Sequence, residues 1–319
     1  MNNIMVFPIY KNMEKNRENR EKVFLSILDF LNKLKRNKNL NIALLDYKGH
    51  DCMELELIPE TKEILKNVEE LTKKKFKFIP NSKITSHAKL KIARNDMENH
   101  IVYYKEGASQ SINHIIAHEC GHIIRIFKSD PSERLIPFIS SKNSETAINE
   151  IANDIDSISK VMPKSKVEHL IEMLFKGLVM QLTNQPVDLK IEEWIYTEYH
   201  GLREFQKISF QSQLQEALGG LNENVRKITP SKIYEVSHSM NYAYFNVLAK
   251  KTKFDLRGSY VDFEFVDKGK LLIEIMGKYE NNFDGDLKRI NDWANILNLS
   301  SWYEWKIFED VPSNYEYMI

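Results

Sequence analysis

The segment INHIIAHECGHIIRIF, residues 112–127, sets the first condition that any fold of this chain must meet. Its apolar residues recur at helical spacing, Ser111 stands where an N-cap belongs, and Pro131 in the following SDPS cannot continue the helix. A helix this apolar is expected in the interior. It nevertheless carries two imidazoles and a carboxylate, which are costly to bury for packing alone.

Those three side chains form His118-Glu119-Cys120-Gly121-His122, an HExxH motif. Residues four apart on a helix lie about 40° apart around its axis, so both imidazoles can reach one metal ion. Glu119 is rotated by one residue step, which puts its carboxylate beside the metal rather than on it. A base must stand there to take a proton from an attacking water.

The rest of the chain constrains the setting. Its 319 residues can bury a real core, and 42% hydrophobic with 28% charged residues fits a folded soluble protein. With 45 basic and 45 acidic side chains the net charge is zero, which gives no global field for a polyanion and argues against a dedicated nucleic-acid binder. Residues 1–100 hold 20 Lys and Arg against 14 Asp and Glu, a surplus read as a solvated face. Two cysteines, Cys52 and Cys120, do not make a disulfide framework and suit a reducing compartment. The N-terminus lacks the pattern of a secretory signal, and no apolar run approaches the ~20 residues of a membrane span. The expectation is a cytoplasmic protein that does not enter a membrane.

Periodicity predicts an amphipathic helix over residues 14–37 and paired strands beginning at Asn41 and Cys52. A helix from Glu60 to about Lys74 follows, then KKKFKF, which reads as a charged helix end leading into a strand rather than a basic-aromatic nucleic-acid patch. Residues 90–93 and 100–104 form an apolar pair across a polar turn. After the motif helix, a helix is expected from Ser144 to about Lys160. Pro163 and Pro186 punctuate the chain, with helices over residues 165–183, 188–207 and 230–250. YVDFEFV and LLIEIM around DKGK signal a hairpin, and a helix over about 287–297 follows. The reading is α+β: residues 1–163 a mixed region with a small sheet and the motif helix, residues 164–319 a mostly helical region closed by a hairpin, suited to sensing, partner binding or substrate binding.

A catalytic zinc site usually has three protein ligands. Glu150, in Asn149-Glu150-Ile151-Ala152-Asn153-Asp154, is placed to be the third, and Asp154, four residues on, to accept an N–H from a ligating histidine. HExxH followed by NExxxD resembles the glutamate-zincins, and HExGH followed by ExAN resembles more narrowly the ImmA/IrrE metallopeptidases, over roughly residues 88–160. The resemblance implies a zincin-like core and one catalytic Zn2+ on His118, His122 and Glu150. It also implies Glu119 as base, Asp154 orienting a ligand, and a protein substrate lying as an added strand along residues 100–104. The function it implies is cleavage of an intracellular protein, such as a transcriptional repressor in stress response, mobile-element control or phage defence. The alternative is a zinc-stabilised interaction module, non-catalytic or active only under some condition.

Other residues compete for roles. His114 can extend the histidine stripe, although a histidine near a helix start facing solvent or core is the plainer reading. Glu145 can replace Glu150 but falls in an exposed first turn. Cys120 points away from the metal face and reads as a buried thiol. Donors for a developing oxyanion are sought among Tyr196, Tyr199, His200, His238, Tyr242 and Tyr244. Asp188 and Glu192, beside Pro186, read as helix-start residues.

Overall fold

A computed structural model describes residues 55–82, 84, 88–94, 97–105, 111–256 and 265–312. The helix expected over 14–37 and the strands expected from Asn41 and Cys52 lie outside them. All the described residues belong to one compact unit.

Helix α1, Pro59–Thr72, starts with Pro59 at its first turn, where a missing N–H costs nothing, and ends at Lys73 in the left-handed region. It leads into β1, Lys75–Pro80. Strands β2, Ala88–Lys91, and β3, Asn99–Tyr104, complete a sheet of order β1-β3-β2, with β3 parallel to β1 and antiparallel to β2. The pairing of β2 with β3 is as read from the sequence. The position of β3 is not: it is central, and both its edges are taken by β1 and β2, so no substrate strand can add along residues 100–104.

The motif helix is α2, Ile112–Phe127, and thirteen of its sixteen residues are buried. That near-total burial is what its apolarity demanded. It packs against α1, β2, the helix α5, Lys164–Glu198, and the helix α6, Arg203–Gly219. Between α2 and α5 run β4, Leu135–Phe138, α3, Ser141–Glu150, and α4, Ala152–Ser159. The single helix expected over 144–160 is thus two, broken where Ile151 takes φ −113° and ψ 14°.

Helix α5 is the long axis of the second half, 35 residues and therefore about 52 Å. Pro186 does not punctuate it but lies inside it. A helix-interior proline forfeits one backbone hydrogen bond and costs about 3 kcal/mol. Burial on both sides offsets this: Leu178, Leu182, Leu189 and Ile191 are in the core. Gln181 and Gln185 both donate to Asn241 Oδ1, and Gln181 also accepts from Ser237, on the helix α8, Ser231–Thr252.

After α6 come α7, Glu223–Ile228, and α8, then α9, Val266–Ile275, and α10, Phe283–Leu297. The expected terminal hairpin is overturned, because LLIEIM lies on and just after α9. A short apolar run with residues at i, i+1 and i+4 satisfies a helix as well as a strand. The strand that does close the chain is β5, Glu304–Ile307, antiparallel to β4. This pairing, with the packing of α2 on α5, crosses the division expected at residue 163, and the described residues on its two sides lie in one unit. The coarse α+β class holds. Among the described residues no helix is long and apolar enough to cross a membrane.

Candidate metal centre

Helix α2 projects His114, His118 and His122 at four-residue spacing toward α5, which answers with Asp188 and Glu192, also four apart. Close approach of the two helices depends on Gly121: a Cβ there would meet Ile191 Cγ2 at 2.5 Å. Asp188 Oδ1 lies 3.0 Å from His122 Nε2 and 3.3 Å from His118 Nε2, and the two Nε2 atoms are 3.2 Å apart. His118, His122 and Asp188 are 2%, 5% and 5% exposed.

The layer behind them fixes the imidazoles. Glu192 is fully buried and its carboxylate can only accept. His118 Nδ1 donates to its Oε1 at 2.7 Å, His114 Nε2 to its Oε2 at 2.8 Å, and Gln206 Nε2 to the same oxygen at 2.6 Å. Ser209 Oγ stands 3.0 Å from His114 Nδ1 and donates to it. With Nδ1 held by Glu192, it is Nε2 of His118 that faces His122 and Asp188, and in the neutral ring that nitrogen carries the lone pair. Burial opposes a charge on His118, but the Glu192 and Asp188 carboxylates outweigh it and push its pKa up to about 10. The histidines hold the Glu192 and Asp188 carboxyls below the usual carboxylate range against the opposing effect of burial.

Asp188 Oδ1 is buried with two imidazole nitrogens within 3.3 Å of it. The three donor atoms therefore lie within hydrogen-bond distance of one another around one spot. Tetrahedral coordination with metal–ligand distances of about 2.0–2.1 Å separates neighbouring ligands by about 3.3 Å, the spacing seen among these atoms. His118, His122 and Asp188 form a buried group that could hold a metal ion.

Glu119 is buried on the adjacent face of α2, toward the sheet, in surroundings that include Phe76, Ala88, Leu90 and Val102. Cys120 is a free, buried thiol whose pKa is pushed well up by burial and by Glu119.

The structure thus brings together His118 and His122, with Glu119 on the neighbouring, sheet-facing side of the helix, but not the expected third ligand. Glu150, at the end of α3, accepts from Lys232 Nζ at 2.5 Å and Trp302 Nε1 at 3.0 Å. Asp154 accepts from the Ser231 N–H at the start of α8. The break at Ile151 turns both acids toward the C-terminal elements. Glu145 is exposed. Of the oxyanion candidates, His200 is exposed beside Thr197 O, Tyr199 packs on Trp194, and His238 stacks on Phe265. Tyr196 lies against Phe254 and Arg203. Tyr244 is buried and donates to Gln213 Oε1, and burial, with Asp188 and Glu192, raises its pKa well above the ordinary value.

Asp188 and Glu192 were missed because Pro186 made them resemble the start of a helix. The signal available was their spacing, an acid pair at i and i+4 inside the apolar QLTNQPVDLKIEEWI, matching the four-residue repeat of histidines. Asp188 and Glu192 repeat the four-residue spacing expected of Glu150 and Asp154, with Asp first and Glu second. Comparison of the chain with protein-family models, curated proteins and solved structures finds no match.

Proposed function

We propose that this protein is a zinc-dependent peptidase with a zincin-like core, its metal held by His118, His122 and Asp188. The observation that carries the reading is the convergence of those three donors, with His118 locked by Glu192, on a helix that places Glu119 one step away. Zinc, when bound, polarises a carbonyl and acidifies water. Glu119 accepts the proton of the attacking water and delivers it to the leaving amine. Glu192 keeps the His118 ring oriented while charge develops. Tyr244 is the candidate donor to the oxyanion. Strand β2, which packs on α2 and among the described residues is paired on one side only, replaces β3 as the edge for an extended substrate. A regulatory protein as substrate rests on the family resemblance alone.

Two histidines and one carboxylate also suit Fe(II), so metal analysis of the purified protein comes first. Glu119→Gln is the second test. Gln is nearly isosteric and leaves the donors untouched, so zinc and fold should persist while cleavage falls by roughly a hundredfold to ten-thousandfold. Without a known substrate, new protein termini are compared in cells expressing either form. Identical termini and phenotype with zinc retained favour the second reading, a zinc-stabilised interaction module. The near-complete burial of the three donors supports that reading.

A further inference from the structure

Each acid of α5 sits between two histidines of α2. Asp188 Oδ1 is 3.0 Å from His122 Nε2 and 3.3 Å from His118 Nε2, while the Glu192 oxygens are 2.7 Å from His118 Nδ1 and 2.8 Å from His114 Nε2. The two helices therefore run antiparallel here, and their side chains alternate as an offset ladder: His122, Asp188, His118, Glu192, His114. The first three are the candidate metal donors. His114 is the far rung, two places beyond the last of them, and is fully buried.

Packing alone does not call for an imidazole at this rung. Phe210 meets the ring edge to face, with centroids 5.7 Å apart, a contact that a phenylalanine would also make. Two buried ring nitrogens, by contrast, each need a partner. The carboxylate of Glu192 only accepts, so His114 Nε2 carries the hydrogen; Nδ1 of the neutral ring then accepts from Ser209 Oγ at 3.0 Å. Ser209 thus selects the tautomer that can grip Glu192. A carboxylate held at one oxygen swings about that contact. Held at both by rings about 6 Å apart along one helix, it cannot tilt without lengthening one of the two bonds. Fixing Glu192 fixes the ring of His118 and the register of α5 on α2, which in turn sets where Asp188 meets His118 and His122. We infer that His114, oriented by Ser209, is a positioning residue for the metal centre and not a ligand of it. The inference rests on the proposed metal centre and adds α6, the source of Ser209 and of Gln206, to the elements on which that centre depends.

The test uses the full chain, with zinc dissociation constants from chelator competition and melting temperatures in excess chelator as the measure of the metal-free fold. Phenylalanine at position 114 keeps a ring and has no N–H, whereas glutamine has no ring and can carry an amide N–H to Glu192. His114→Phe should weaken zinc roughly tenfold, the lower end of the range for losing an outer partner of a ligating histidine. His114→Gln should recover most of that loss, although it gives up the contact with Phe210. Ser209→Ala removes one hydroxyl and should weaken zinc in the same direction by less. A packing role predicts the reverse order, with Phe tolerated and Gln damaging. Wild-type affinity in His114→Phe, or weaker binding by His114→Gln than by His114→Phe, overturns the inference. Should the His114 variants not fold, Ser209→Ala decides, because wild-type zinc affinity there also overturns it. A wild-type protein that binds no divalent metal refutes the metal centre itself; a wild type that binds zinc no better than its variants refutes the positioning role alone.

Discussion

Exchanging Asp188 for asparagine keeps the shape of the side chain but replaces an anionic donor by a neutral one at the centre of the cluster. Total binding free energies of about 10–16 kcal/mol for structural zinc, spread over four ligands, assign about 2.5–4 kcal/mol to each. Loss of one donor should therefore weaken zinc roughly a hundredfold to a thousandfold. Zinc buffered at about 100 times the wild-type dissociation constant stabilises the folded protein by about 2.7 kcal/mol. For a unit of this size that raises the melting temperature by about 5 °C, at about 2 °C per kcal/mol. In Asp188→Asn the same free zinc stabilises by about 0.4 kcal/mol or less, and the shift falls below about 1 °C. Glu150→Gln is the control. Its carboxylate, a third exposed, binds Lys232 and Trp302, so the baseline drops by about 1 kcal/mol or less while the zinc-induced shift stays whole. Melting of both variants with and without buffered zinc, with chelator competition for the affinities, decides the matter. A full shift in Asp188→Asn, or its loss in Glu150→Gln, would refute the assignment of α5 as the source of the third ligand.

Gly121→Ala puts a methyl carbon against Ile191, so α2 and α5 must separate. The expected cost is about 1–3 kcal/mol in denaturant unfolding, with weaker zinc binding because Asp188 and His122 move apart; an unchanged midpoint would contradict the packing. His100 accepts the Ala93 N–H on Nδ1, and burial, with Lys74 nearby, pulls its pKa from 6.5 to about 4; burial does the same to His238. The unfolded chain binds these protons more readily, so the stability they contribute is whole above about pH 6.5 and is lost as pH falls toward 4. From pH 7 to 5.5 each group should cost about 1 kcal/mol. His100→Gln should flatten its share of the slope in urea titrations at the two pH values, and a slope equal to wild type would exclude that role.

Local pattern made much of the architecture legible. Helix α2 is announced by an apolar period of 3.6 and a proline stop, and β2 and β3 by two apolar runs across a polar turn. What stayed hidden was decided elsewhere in the chain. Pro186 carries a strong local penalty, and only the packing of α5 against α2, α8 and α10 outweighs it, so no window around the proline shows that the helix continues. Glu150 and Asp154 have the spacing of a ligand pair on an unbroken helix, and Ile151 breaks it. LLIEIM satisfies either period, and its neighbours in space make it helix. Two members of the candidate metal site could therefore be read from one motif, while the third required knowledge of which helix lies across from it.

That third donor also has a consequence for how the protein is made. Asp188 and Glu192 follow His122 by 66 and 70 residues. At elongation rates of about 5–20 residues per second, roughly 3–14 s pass between synthesis of the motif helix and of the segment that covers it. During that interval thirteen residues destined for burial, three of them histidines, have no α5 to pack on. The nascent chain meets its greatest exposure to chaperones, and to stray metal, while this pair of helices is only half made.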